Sequence, residues 1–365
     1  MSRWIVPLLL AASLPLVEQS RACAPVLRKD GFAQVADESA IIIWNAKTKT
    51  EHFIRRATFL TAEKDLGFLV PTPSTPAIES ASEDSFKHLE KVTEPKTRTI
   101  TREYSRYGKG RYHGMKSMPT GGGMAEWPTV RVVGEGRVGH LDYAILEADK
   151  TDALQQWLEK HGYAARPDLT AWLEQYVKAK WKITAFKFAK DVKAGGPGGV
   201  ATSALRMTFT ADRPFFPYSE PGAQSMPPSG IREARLLRVY FLGESRFRGE
   251  LAGGGIWSAG VPWSNTLAAD EKDELLRHLG LPAGAAPENA WLTEFEDRAN
   301  MRPPSSDLFF LADSFSGSVS RPEITVEVDP PAPPGADPWR SFLIIAGITG
   351  GLLLMLIVSA FVFWR

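Results

Sequence analysis

Cysteine is nearly absent from this chain of 365 residues: Cys23 stands alone, which excludes an internal disulfide and any multi-cysteine zinc site. An excess of either charge is missing too. Forty-three Lys and Arg balance 42 Asp and Glu, and a net charge of +1 gives no overall attraction to nucleic acid. The glycine-rich segments 121–123, 195–199 and 253–255 precede no helical pattern of phosphate-loop or dinucleotide type. Nucleotide binding is therefore not expected, and no cofactor is. The six histidines, at 52, 88, 113, 140, 161 and 278, show no zinc-type spacing. Without disulfides a folded domain must rest on its apolar core, and 44% hydrophobic residues with 19 Phe and 11 Trp supply one.

Long uncharged runs lie at the two ends. Arg3 precedes the apolar stretch Trp4 to Leu10, which continues through Ala11, Ala12, Leu14, Leu16 and Val17, the pattern of a secretory signal over residues 1–22. Ser20-Arg21-Ala22 favours cleavage before Cys23. Phe342 to Trp364 is uncharged for 23 residues. At about 1.5 Å per residue it is long enough for a hydrocarbon core of about 30 Å, so a single C-terminal transmembrane helix is expected over 341–365. Five prolines between Asp329 and Pro338 make 329–340 an extended stalk. Export then places 23–328 outside the cytoplasm, in a single-pass protein of the bacterial cell envelope whose membrane partner is that helix.

Period-two alternation dominates the middle. Leu205, Met207 and Phe209 alternate with polar residues, as do Ile324, Val326 and Val328. Ile41 to Trp44, Phe53 to Leu60, Val138 to Leu146, Ile183 to Phe188 and Leu236 to Leu242 also read as strands. Helical spacing links Leu154, Trp157 and Leu158, then Leu169, Trp172, Leu173, Tyr176 and Val177. Thr151 and Asp168 are the expected N-caps, and Gly162 ends the first helix. Shorter helices are expected near 86–92 and 270–279. The expected fold is α+β: an antiparallel-strand-rich extracytoplasmic domain with one helical hairpin, plus the C-terminal transmembrane helix. Possible sub-domains are 23–220 and 230–328.

Several segments carry a family resemblance. They are Ala22-Cys23-Ala24-Pro25, Gly67-Phe68-Leu69-Val70-Pro71-Thr72-Pro73, Val138-Gly139-His140-Leu141-Asp142-Tyr143 running into Leu154 to Tyr163, and Arg206-Met207-Thr208-Phe209 before Asp212 to Pro217. Over roughly 22–245 the chain resembles the bacterial family known as domain of unknown function 2330. That resemblance implies an exported bacterial protein and supplies no activity, ligand or catalytic residue.

Four features could carry chemistry. Cys23 would become the mature N-terminus, either as a lipid-attachment residue or as an inert or mixed-disulfide thiol; nothing near it in sequence supplies a base. His140 and Asp142, two apart on an expected strand, would share a face and could begin a metal site, but no third ligand can be assigned, so a structural histidine and no metal are expected. Asp212-Arg213-Pro214 and Glu220 could be carboxylates in a cleft, but without paired spacing a buried Arg–carboxylate pair in a turn is the simpler reading. The strongest bias is the basic tract Lys96, Arg98, Arg102, Arg106, Lys109, Arg111 and Lys116, with Tyr104, Tyr107 and Tyr112 interleaved. Such a tract is either a solvated surface or a site for anionic lipid headgroups or acidic glycans. The expected role is a non-enzymatic binding or scaffolding module. The alternative is an envelope hydrolase whose active site is assembled from dispersed residues, in a pocket where His or carboxylates converge.

Overall fold

The apolar runs become the centre of a large sheet in the computed structural model, which describes residues 25–26, 33–61, 66–101, 130–163, 166–189, 199–221, 235–299, 302–303 and 305–328. In chain order the elements begin with β1 (Pro25–Val26), β2 (Ala33–Asn45), β3 (Thr50–Thr61), β4 (Gly67–Thr72), β5 (Ala77–Ser80), α1 (Asp84–Val92) and β6 (Thr97–Thr101). β7 (Arg131–Val138) and β8 (Leu141–Glu147) lead into α2 (Thr151–Lys160) and α3 (Pro167–Lys178). Next come β9 (Lys182–Phe188), β10 (Val200–Ala201), β11 (Leu205–Thr210) and β12 (Phe215–Phe216). The remainder is β13 (Leu236–Gly243), β14 (Phe247–Leu251), β15 (Gly255–Ile256), β16 (Gly260–Thr266), α4 (Ala269–His278), β17 (Trp291–Asp297), β18 (Leu308–Ala312) and β19 (Ile324–Val328). β6 and β19 pair in parallel within a small unit of their own, and the other elements form the main unit.

In the main unit an eight-stranded sheet runs β16-β17-β13-β2-β3-β11-β5, with β10 also on β3. It takes strands from both sides of 221–230. Its central strands are covered on both faces. Ala40, Ile42 and Trp44 of β2, with Leu237, Val239 and Phe241 of β13, belong to one apolar cluster; Ile41, Ile43, Tyr240 and Leu242 belong to another. The first face meets a five-stranded sheet, β1-β4-β9-β8-β7, through Phe68, Val70, Phe186 and Phe188. Phe68 and Phe186 stack there at 4.9 Å. Each such ring, fully buried, stabilises by about 1.5–3 kcal/mol. A four-stranded sheet, β12-β18-β14-β15, adds Phe216, Phe247, Leu308 and Phe310 to the same cluster. The second face meets α1 and α4 through Phe86, Leu89, Leu275, Leu276 and Leu279.

The outer face of the five-stranded sheet is covered by α2 and α3, whose stripes pack on Leu69, Leu146, Ile183 and Ala185. Gly162 ends α2 with a φ of +85°, and the Tyr163 N–H donates back to the Leu158 carbonyl at 3.0 Å. A Cβ at Gly162 would meet nothing within 4 Å. Its need for glycine is therefore conformational alone. Gly162→Ala is expected to cost about 1 kcal/mol in urea denaturation, and a cost near zero would show that this turn relaxes freely. The helix starts differ from expectation. α2 begins at Thr151 and α3 at Pro167, so Thr151 and Asp168 lie inside the first turns, and Asp168 pairs with Arg166 at 3.0 Å.

The expected fold class needs correction in three respects. The fold is more strand-rich than expected; its four α-helices among the described residues include, on the sheet face opposite the hairpin side, the two shorter ones expected near 86–92 and 270–279. The central pair β2·β13 is parallel. Ile41-Ile42-Ile43-Trp44 and the run Leu236 to Leu242 lack strict alternation because both faces are covered, the setting that parallel strands require. Finally, no described helix is long and apolar enough to cross a membrane. The longest, α3, has 12 residues and spans about 18 Å against a hydrocarbon core of about 30 Å. The helix expected over 341–365 falls outside the described residues.

Candidate functional site

Among the described residues, a convergence of titratable groups lies inside the main unit, at the central sheet. β2 brings Glu38 and β3 brings Arg55, whose Nε donates to Glu38 Oε1 at 2.6 Å. Arg302 donates to the other Glu38 oxygen at 3.3 Å and stands 4.0 Å from both Glu220 and Asp297. Arg235 holds Glu220 in a bidentate pair at 2.8 and 3.3 Å. Asp297, the last residue of β17, accepts from Tyr218 Oη at 2.7 Å and Trp257 Nε1 at 3.3 Å. The Arg302 guanidinium lies 4.7 Å from the Tyr218 ring, and that of Arg55 lies 4.9 Å from Phe68.

Three guanidiniums thus face three carboxylates. All six side chains are buried, none more than 3% exposed. Burial alone would raise the Glu38 carboxyl, but the charges of Arg55 and Arg302 outweigh it and hold it at about 2. Burial pushes Glu220 upward instead, against the pull of Arg235 and Arg302. Such a centre fixes the geometry of the strands that meet there. Each of the three carboxylates faces a guanidinium, so the charges of this centre are already paired with one another.

Other buried acids are likewise enclosed. Glu51 has no exposed surface and accepts the Phe215 N–H at 2.9 Å; burial raises its carboxyl well above the usual range. Asp307 accepts from Ser219 N and Tyr176 Oη, both at 2.9 Å, and burial raises it to about 6. Two open clefts are bordered by charged residues, some of them already paired. One of about 530 Å³ holds Arg131, Glu147, Asp149 and Lys150, where Lys182 meets Glu147 at 2.7 Å. Another of about 470 Å³ is bordered by Glu296 and Arg298, paired at 3.2 Å.

The residues singled out in the sequence are dispersed. His140 sits in the turn between β7 and β8, not on a strand, and Asp142 pairs across that hairpin with Arg137 at 2.6 Å. The shared face needed for a metal site therefore does not form. Asp212 is exposed and pairs with Lys49 at 2.9 Å, while the Arg213 guanidinium stacks 3.5 Å from the Phe309 ring. Glu220 is in a buried ion pair, but with Arg235. Arg98 is exposed on β6; Arg102, Tyr104, Arg106, Tyr107, Lys109, Arg111, Tyr112 and Cys23 lie outside the described residues. Sequence pattern alone did not single out Glu38, Arg55, Arg235, Asp297 or Arg302. The one local signal was polar residues inside apolar strands, Glu38 before Ala40-Ile41-Ile42 and Arg55 after Phe53-Ile54.

Residues 17–308 match the family model described as an uncharacterised protein conserved in bacteria, DUF2330. The chain belongs to that family, a conserved bacterial domain. No curated protein has a matching sequence. Among solved structures, the chain is similar to baculovirus P35 at 8% identity and a TM-score of 0.36, covering 77% of this chain and 98% of that one. A mutated baculovirus P35 after caspase cleavage gives 8% identity, a TM-score of 0.28, and coverage of 78% and 98%. Similarity at this level carries no functional argument.

Proposed function

We propose that this DUF2330 protein is a non-enzymatic binding or scaffolding module of the bacterial cell envelope. The observation that carries this reading is the sealed ionic centre: its acids and bases converge, yet every one is buried and partnered. A hydrolase would need such a convergence open to substrate. The envelope location rests on Arg3 and the apolar run that follows it, and mass spectrometry of the mature chain is expected to find Cys23 first. A chain that retains Met1 would remove that support.

The proposed ligand surface is the basic tract from Lys96 to Lys116, directed at anionic lipid headgroups or acidic glycans. Each cation close to an anionic membrane contributes about 1 kcal/mol, screened within a Debye length. The protein is expected to bind vesicles containing phosphatidylglycerol, or an acidic polysaccharide, at low ionic strength and to release both in high salt. Replacing Arg98, Arg102, Arg106 and Arg111 with Ser is expected to abolish binding without lowering the melting temperature. No salt-sensitive binding by the wild type would end the ligand proposal, and unfolding of the variant would make those arginines structural.

A further inference from the structure

Most sheet ends in the main unit are short or blocked. β1, β12 and β15 have two residues each, and β5 has four. β16 carries Pro262 and a register shift, and its Ser264 exchanges two backbone hydrogen bonds with Val319, both at 2.8 Å. These are the usual defences of an edge against pairing with another chain. β7 is different. It has eight residues without proline, ends the five-stranded sheet, and pairs with β8 alone among the described residues. β5 comes near it without pairing. Glu135, Gly136 and Arg137 of β7 are exposed.

The hairpin fixes which backbone groups face outward. Gly139 and His140 alone join β7 to β8, with Gly139 at a φ of +55°. Across such a two-residue turn the closing pair, Val138 and Leu141, exchanges both N–H···O bonds. Following the register, Gly136 bonds Tyr143 in the same way, and the N–H and C=O of Glu135 and Arg137 point away from β8. A Cβ at Gly136 would meet Tyr143 Oη at 2.9 Å, so no side chain fits between the two charged residues. A second copy of β7, antiparallel about a two-fold axis at Gly136, sets Glu135 opposite the partner's Arg137 and Arg137 opposite the partner's Glu135. Each pair then exchanges two backbone hydrogen bonds and joins opposite charges. A shift of two residues, the next that keeps the bonds in step, sets Glu135 on itself or Arg137 on itself. Edge charges usually repel a partner; with opposite signs two residues apart, these select one register. Arg137 already meets Asp142 at 2.6 Å across the hairpin, and a guanidinium with five donors can serve two carboxylates.

We propose that β7 is a self-association edge, through which two copies of this chain pair antiparallel about a two-fold axis at Gly136 and their five-stranded sheets continue as one. The contact is isologous, each copy giving the same three residues, Glu135, Gly136 and Arg137. It is weak and concentration-dependent, because the ladder is short and its ion pairs are exposed. Salt weakens it further by screening those pairs. The inference does not depend on the envelope role.

The test is sedimentation velocity of the full chain in a non-ionic detergent over a range of concentrations. The wild type is expected to form a dimer that dissociates on dilution. Glu135→Arg and Arg137→Glu each set like charges opposite one another at both pairs, and each is expected to weaken dimerisation about tenfold or more. Both positions are exposed, so the melting temperatures should stay near the wild type. Mixed in equal amounts, the two variants are complementary again, one offering only cations and the other only carboxylates. They are expected to form a heterodimer with an affinity close to that of the wild type, which a damaged fold could not do. A wild type that stays monomeric, a dimer that neither variant weakens, or no recovery on mixing would overturn the inference.

Discussion

Replacing Arg302 with methionine is expected to lower the unfolding free energy by about 3–5 kcal/mol, the usual cost of removing one partner from a buried ion pair. Arg302 is 2% exposed and stands within 4.0 Å of Glu38, Glu220 and Asp297. Its loss leaves three buried carboxylates facing two guanidiniums, with methionine filling part of the volume but supplying no charge. Because the centre is shielded from ions in solution, salt should not restore the lost stability. Urea denaturation at low and high ionic strength measures both effects. The double variant Glu38→Gln, Arg302→Met should cost less than the sum of the two single changes, since the carboxylate that suffers most is gone. A loss below about 1 kcal/mol in Arg302→Met would mean that the centre is wet or loosely paired.

Acidification is expected to act in two stages. His52 is buried against β11, with Nδ1 2.9 Å from Thr208 Oγ1. Burial first, and the Arg206 charge second, lower it from 6.5 to about 4. The unfolded chain therefore takes up a proton first, and stability falls as pH drops from 6.5 toward 4. Asp307 acts in the opposite sense. Its carboxyl, raised by burial from 3.8 to about 6, contributes stability that is complete below 3.8 and lost as pH rises through 6, so acidification restores it. The two contributions are each about 3 kcal/mol and largely cancel. Below pH 4.5 the Glu38 carboxylate dominates. Its folded value of about 2 means stability present above 4.5 and lost as pH falls toward 2, again about 3 kcal/mol. Glu51 and Glu220, also raised by burial, act in the same sense as Asp307, so the melting temperature is expected not to fall from pH 6.5 to 4.5 and to fall beneath it as Glu38 protonates. Glu38→Gln should flatten that acid limb at a lower overall stability. A wild type with constant melting temperature down to pH 3 would contradict the charged state of Glu38.

Much of the local structure was legible in the residues. Alternation along Leu205, Met207 and Phe209 gave β11, and the stripes at Leu154, Trp157 and Leu158 and at Leu169, Trp172 and Leu173 gave α2 and α3. The parallel central pair was not legible, because a run such as Ile41 to Trp44 states that both faces are covered and not which strand lies alongside. His140 and Asp142 show the opposite failure. Their spacing would place them on one face only if the strand continued through His140, and the Gly139-His140 turn breaks that premise.

The ionic centre was out of reach for a different reason. Glu38 and Arg302 are 264 residues apart. By itself the sequence determined where strands and helices form and which stripes must be buried, because periodicity and glycine geometry act over a few residues. Only the tertiary structure decided which charges are enclosed and which strand edge stays open. Coulomb interaction and hydrogen bonding depend on distance through space, and that distance is set by the packing of sheets and helices.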